Sequence, residues 1–152
     1  MRVENYSDKY LQDVMRLVES FHKEAVGEYE GAFDPNTLIE TIKREREVNS
    51  GNCFLMIVEK DGQDSCEGIL FGVRFKSPIS TQVIFQEMIW YVSQEFRSRG
   101  VKLLGEVEKV LQFQGVGSII MAVLHNSKTE KLRSLYEKMG YQAIETHYLR
   151  KL

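Results

Sequence analysis

This chain of 152 residues is short of several things, and each shortage narrows what it can be. It has two cysteines, Cys53 and Cys66, and no Cys-x-x-Cys pair. They read as reduced, mostly buried thiols of a cytoplasmic protein rather than as a disulfide framework. Three histidines, His22, His125 and His147, lack metal-ligand spacing, so no metal site is expected. Basic residues are not in excess: 20 Lys and Arg stand against 22 Asp and Glu, for a net charge of −2. That argues against a generally basic nucleic-acid surface. No apolar run is long enough to cross a bilayer, and Met1-Arg2-Val3-Glu4-Asn5 lacks a signal-peptide core, so no membrane partner is expected. Repeats, low-complexity tracts and linkers are also missing, which leaves one domain over 1–152. What is present is 43% apolar and 28% charged residues, an ordinary globular mixture.

Periodicity supplies the elements. Met1–Tyr6 reads as a short strand. Ser7 can cap a helix whose apolar positions, Tyr10, Leu11, Val14, Leu17, Val18 and Phe21, fall on one face. Asp34-Pro35 reads as N-cap and first helical residue of a second helix, with Leu38, Ile39 and Ile42 inside. Three strand-like runs follow, Cys53–Glu59, Glu67–Phe75 and Thr81–Val92, joined by short turns that favour antiparallel neighbours. Gly100–Gln114 is predicted as a helix burying Leu103, Leu104, Val107, Val110 and Leu111. Ser118–Leu124 is a nearly all-apolar run, as in a strand covered on both faces. A helix from about Ser127 to Met139 and a last strand or bent pair over Tyr141–Leu152 complete the order β-α-α-β-β-β-α-β-α-β. A mixed, mostly antiparallel sheet with helices on both faces is the natural packing.

The most informative stretch is the junction after the third run. A strand ending Tyr91-Val92-Ser93 passes through a turn with Arg97 and Arg99 straight into a helix at Gly100. Helix starts present unpaired N–H groups and partial positive charge, and two arginines add to both, so this junction can receive a phosphate.

Two motifs carry a family resemblance. Arg97-Ser98-Arg99-Gly100-Val101-Lys102 follows the long strand. Further on, Ser118–Leu124 leads to His125-Asn126 and to a helix ending Leu135-Tyr136-Glu137-Lys138-Met139-Gly140-Tyr141. Their order and spacing resemble the GNAT superfamily of acyl-CoA-dependent N-acetyltransferases, most strongly from Glu87 to Leu152. The resemblance implies the α/β (α+β) GNAT fold and transfer of an acetyl group from acetyl-CoA to a primary amine by direct attack, without a covalent enzyme intermediate. It implies cofactor contacts from Tyr91, Val92, Ser93, Arg97, Ser98, Arg99, Gly100, Val101, Lys102 and Asn126. Tyr136 would be the general acid that protonates the departing thiolate.

Several alternatives stand at this point. Lys102 replaces a small residue of the motif, and either points outward to offer a second cation or crowds the cofactor. Gln94 stands where the family often has proline. Asn126 either touches cofactor or caps its helix, and Tyr136 is an acid or an aromatic packing residue. Glu87 is either a base that deprotonates the amine or a solvent-facing strand carboxylate; it shares strand parity with Phe85, Ile89 and Tyr91. Glu28, Tyr29, Glu30 and Tyr148 are candidates for the acceptor site, by charge and aromatic character. The acceptor is a small-molecule or protein amine, and a homodimer is compatible with the resemblance. The alternative function is a GNAT-fold binding or regulatory module that no longer transfers acetyl groups.

Overall fold

A computed structural model gives the architecture; it describes every residue except 28–30, 48–50 and 127, and the side chains of all those except 46, 47 and 51. The elements are β1 (Arg2–Asn5), α1 (Leu11–Phe21), α2 (Pro35–Glu47), β2 (Gly51–Lys60), β3 (Gln63–Lys76), β4 (Val83–Val92), α3 (Gly100–Phe113), β5 (Ser118–Ile120) and α4 (Thr129–Lys138). One five-stranded sheet runs β1-β2-β3-β4-β5. The first four strands are antiparallel neighbours, and β5 is parallel to β4. Strand order therefore follows chain order. The one parallel pair, β4 and β5, is joined through α3, as a parallel crossover requires.

Each face of the sheet has its own core. Tyr10, Val14, Leu17 and Val18 of the first helical region and Leu38 and Ile42 of α2 pack on Leu55, Ile57, Cys66, Ile69 and Phe71. On the other face Leu103, Leu104, Val107 and Leu111 of α3, with Tyr136 of α4, cover Phe54, Met56, Leu70, Phe85 and Val92. Of the apolar stripes read from the sequence most positions are buried, while Leu11, Phe21, Ile39 and Val110 are half-buried.

Two bulges interrupt the ladders. In β3 the pairing passes from Gly68 opposite Met56 to Cys66 opposite Ile57, so Glu67 is the extra residue. In β4 it passes from Ile89 opposite Phe71 to Glu87 opposite Gly72, so Met88 is extra and exposed. Gly72 is required there. A Cβ on it would lie 2.4 Å from the Gln86 carbonyl oxygen and 2.5 Å from the Phe85 ring.

The bulge corrects the expected parity. Glu87 shares a face with Phe85, but Ile89 and Tyr91 pack toward α1 and α2 while Trp90 and Val92 pack toward α3. An extra residue turns every later side chain over.

Three boundaries also differ from expectation. Strand β5 ends at Ile120 rather than Leu124, and only one face of this run is covered: Ile119, Met121 and Val123 pack toward α3 while Ala122 is exposed. Helix α4 starts at Thr129, and Ser127 lies outside the described residues. Tyr141–Leu152 forms no strand. Past Phe21, α1 widens into a π-turn, His22–Val26, which the sequence pattern did not announce.

Candidate active site

The site lies where β4 and β5 part. Their pairing holds from Ile84 opposite Ser118 to Gln86 opposite Ile120 and then stops. From Glu87 to Val92, β4 keeps β3 on one side and, among the described residues, has no strand on the other. A side chain replaces the lost ladder: the Ala122 N–H donates to Glu87 Oε2 at 3.0 Å. On the same residue the Ala122 carbonyl accepts a hydrogen bond from the Tyr136 hydroxyl at 3.3 Å. Glu87 and Tyr136 thus converge on one residue, through its two flanking peptide groups, at the apex of the opening.

Both groups titrate abnormally. Glu87 is only 7% exposed. Burial pushes its carboxyl up to about 7, and the Ala122 N–H opposes this only in part. Burial also raises the Tyr136 phenol, and the nearby Glu87 and Tyr141 add to the rise. The balance expected between a phenol and a thiol is therefore tilted, since this phenol holds its proton more firmly than a free tyrosine. Trp90 stacks on the Tyr136 ring at 5.9 Å, and Tyr141 lies 5.4 Å from it on another side. The Tyr141 hydroxyl donates to Glu108 at 2.5 Å. Tyr136 is thus held by rings and by one hydrogen bond.

Main-chain geometry sorts the three strand residues proposed to face a ligand. The Ser93 N–H donates to the Glu67 carbonyl at 2.9 Å, so it points at β3. Antiparallel alternation gives Tyr91, opposite Ile69, the same direction, and turns the amides of Val92 and Trp90 toward the open side. Of the expected trio only Val92 presents its backbone to the opening. Trp90, not singled out from the sequence, joins it. The Trp90 indole Nε1 is buried and has no hydrogen-bond partner.

The junction itself is a 3-10 turn, Gln94–Arg99, running into α3. No side chain caps either helical start, and α3 has no acid in its first turn. Glu95, the acid of the preceding turn, is held by Lys60 at 3.0 Å. The Ser93 hydroxyl could cap the turn, but it donates to Glu67 instead, at 2.6 Å. Ser98, Arg99, Val101 and Lys102 are exposed and Gly100 is buried. Lys102 is exposed at the first turn of α3. Arg99 lies over the Phe96 ring at 5.2 Å. Donors left uncapped, cations alongside and an unpaired strand edge leading to them suit an extended ligand that ends in phosphates.

Arg97 behaves differently from expectation. It pairs with Glu24 of the π-turn. The other Glu24 oxygen accepts from the Tyr91 hydroxyl at 2.6 Å, and Lys128 reaches Glu24 at 3.2 Å. Glu24 therefore ties the phosphate-type turn to the start of α4 across the mouth of the opening. It was missed because its sequence neighbours give no motif; the helix run stopping short of Gly27 was the only signal. π-turns of this kind are frequent at functional sites.

Asn126 forms an Asx turn. Its side-chain oxygen accepts from the Lys128 N–H at 2.9 Å, and its own N–H donates to Thr129 Oγ1 at 2.9 Å. Here it builds the turn that opens α4. Tyr148, expected at the acceptor site, is 94% exposed. Glu28, Tyr29 and Glu30 lie outside the described residues.

Comparison with solved structures agrees with this geometry. The chain superposes on an acetyltransferase of Trypanosoma brucei with a TM-score of 0.74 at 15% identity, covering 99% of both chains. It matches a GNAT family acetyltransferase of Staphylococcus aureus at 0.71 and 12% identity, over 99% of this chain and 98% of that one. A ribosomal-protein-alanine N-acetyltransferase of Brucella melitensis gives 0.73 and 14%, over 99% and 98%. No protein-family model and no curated protein matches the sequence. The chain has the GNAT acetyltransferase fold over its whole length.

Proposed function

We propose that this chain is an N-acetyltransferase that moves an acetyl group from acetyl-CoA to a primary amine by direct attack. The observation that carries the reading is the meeting of Glu87 and Tyr136 at Ala122, in the opening beside an uncapped helix start. The amides of Arg99 to Leu103, with Arg99 and Lys102 alongside, would hold the diphosphate. The open edge of β4 at Trp90 and Val92 would hold the pantetheine arm. When bound, acetyl-CoA supplies an activated acyl group as a thioester.

The residues of the chain do the proton work. Glu87, titrating near neutrality, takes a proton from the acceptor ammonium directly or through water. Tyr136 keeps its proton in the resting site and gives it to the thiolate as that charge develops. Val92 and Trp90 offer backbone donors where an oxyanion can be stabilised. Neither thiol is used: Cys53 and Cys66 are buried, and burial raises both, which suits direct transfer in a reducing cytoplasm. The exposed Lys102 fits the reading in which it offers a second cation to the diphosphate.

The acceptor class is an amine, small or on a protein. The test is release of free CoA thiol from acetyl-CoA against a panel of small amines, lysine peptides and peptide N-termini, with product masses measured. Acceptor-dependent release supports the reading. Calorimetry with acetyl-CoA that shows no binding at millimolar concentration overturns it.

A further inference from the structure

The two faces of the sheet are covered differently beside the opening. Phe85 and Ile119 are paired and both pack toward α3. Strand alternation turns Ile84, Gln86 and Ile120 to the opposite face. Met121 and Val123 continue the α3 side, so Ala122 and Leu124 lie with Ile120. On that opposite face the core under α1 and α2 takes in Ile89 and Tyr91 of β4. None of Ile84, Gln86, Ile120, Ala122 and Leu124 belongs to it.

These five residues form an apolar strip that touches the site. Gln86 is its one polar member, and none carries a charge. Ala122 is exposed, and its N–H is the one held by Glu87. Met88, the extra residue of β4 next to Glu87, packs in neither core and is 54% exposed. From Ile84 to Met88 the strip runs about 13 Å, at about 3.3 Å per residue. A sheet face left to water normally alternates to polar side chains. Here the side chains stay apolar, at the point where the proposed base meets the open edge of β4.

Charge around the opening points the same way. Glu24, the carboxylate across the mouth, is already matched by Arg97 and Lys128, so it offers little to a second ammonium group. Further along the same face Phe21 meets the Tyr91 ring edge-on at 6.3 Å and adds an aromatic wall. A ligand that fits carries one amine for Glu87 and an uncharged stem for the strip.

We infer that the acceptor is a primary amine on an uncharged apolar stem, an alkyl- or arylalkylamine, whose stem lies along the strip from Met88 and Ala122 toward Ile84. The inference rests on the transferase reading and names its second substrate. The amine nitrogen gives its ammonium proton to Glu87 and forms a C–N bond with the acetyl carbon. The C–S bond breaks, and the thiolate takes the Tyr136 proton. Stem contacts orient the amine and leave this chemistry untouched. Each methylene laid on the strip should add about two- to fourfold in kcat/KM.

The experiment measures thiol release from acetyl-CoA by the full chain with the straight-chain amines from propylamine to hexylamine. Beside them run phenethylamine, hexamethylenediamine, aminohexanoate and a lysine blocked at both backbone ends. kcat/KM should climb with each added carbon, and hexylamine should exceed the diamine and the amino acid of equal length by at least about tenfold. Met88→Glu should lower hexylamine turnover by about fivefold and raise that of the diamine. Saturation-transfer NMR of hexylamine without cofactor should mark its methyl end, and Met88→Glu should weaken that mark. A flat series, a preference for the diamine, or a blocked lysine that outruns hexylamine each overturns the inference. So does the absence of any hexylamine contact, the result expected if the chain covers the strip itself. A chain that shows the contact but releases no thiol with any amine loses the transferase reading and keeps the amine strip.

Discussion

Glu67 and Glu87 expose nearly the same small fraction of their surface in the same sheet, 8% and 7%, and titrate in opposite directions. Each sits at a bulge: Glu67 is the extra residue of β3, and Glu87 directly precedes the extra residue of β4. Burial pushes both carboxyls up. At Glu67 that push is outweighed by the Ser65 and Ser93 hydroxyls, each at 2.6 Å, and by the Arg16 cation at 3.6 Å, so its carboxyl lies below the usual range. At Glu87 a single backbone N–H opposes it, and the carboxyl rises to about 7. Low exposure alone therefore does not mark a working acid or base; the depth of the carboxyl and the number of its partners together do. A carboxylate fully satisfied by its neighbours fastens structure, whereas one left short of donors can still exchange a proton.

The largest expected effect comes from removing the exchangeable proton. Glu87→Gln should lower kcat by about 10²–10³-fold, in the range for a lost general base. In the unchanged chain, kcat/KM for the acceptor should rise with pH through about 7, and the substitution should flatten that limb. Stability should move the other way. Between the ordinary carboxyl value of 4.5 and about 7 the folded state holds a proton that the unfolded chain has lost, so stability falls as pH rises through this window. Glu87→Gln relieves up to about 3 kcal/mol of this cost at pH 8, less what its unpaired amide N–H groups lose. A melting midpoint that rises at pH 8 and not at pH 5, beside a slow enzyme, is the signature of a site held at the expense of stability.

Tyr136→Phe comes next. It should reduce kcat by about 10- to 100-fold while acetyl-CoA affinity changes less than about twofold, because the ring contacts with Trp90 and Tyr141 remain. Equal losses in rate and affinity would assign the phenol to binding instead.

Glu67→Gln is the counterpart to Glu87→Gln and should be a stability variant. Loss of its charge-assisted hydrogen bonds should cost about 1–2 kcal/mol at pH 7, with kcat within about threefold. The sign is reversed. The lowered carboxyl contributes stability above the unfolded value of 4.5 and loses it as pH falls through the folded value, so the variant should show a shallower acid transition below pH 4.5. Urea unfolding across that range reads it.

This contrast also shows what the sequence could and could not disclose. Helical stripes such as Leu103, Leu104, Val107 and Leu111 were legible because burial on one face writes a period. Glu87 and Tyr136 stood out because their residue types and the motifs around them were unusual. Bulges leave no such mark, so strand parity past Met88 was assigned backwards. The main-chain direction that selects Trp90 and Val92 has no side-chain signature either. The last segment read as a strand because it has a strand's alternation, yet it lacks a ladder within its own domain. Sequence pattern reports which face wants burial, and the partner that buries it is a separate matter.

The smallest effect should come from the third carboxylate, at the mouth. Glu24 is about one-third exposed, and burial, though first among its influences, is overridden by Tyr91, Arg97 and Lys128, which hold it below the usual carboxylate range. It occupies two cations that border the phosphate-type turn. Glu24→Gln keeps the shape and the Tyr91 bond but gives up the charge. Arg97 and Lys128 are then free to turn to an anionic ligand, so CoA should bind about two- to fivefold tighter at low salt. Because exposed charges are screened, the gain should fade above about 0.3 M salt. Calorimetry of CoA at two ionic strengths measures it. A weakened complex would mean instead that Glu24 holds Arg97 in the position the ligand needs, and that the ion pair is part of the receptor rather than a competitor for it.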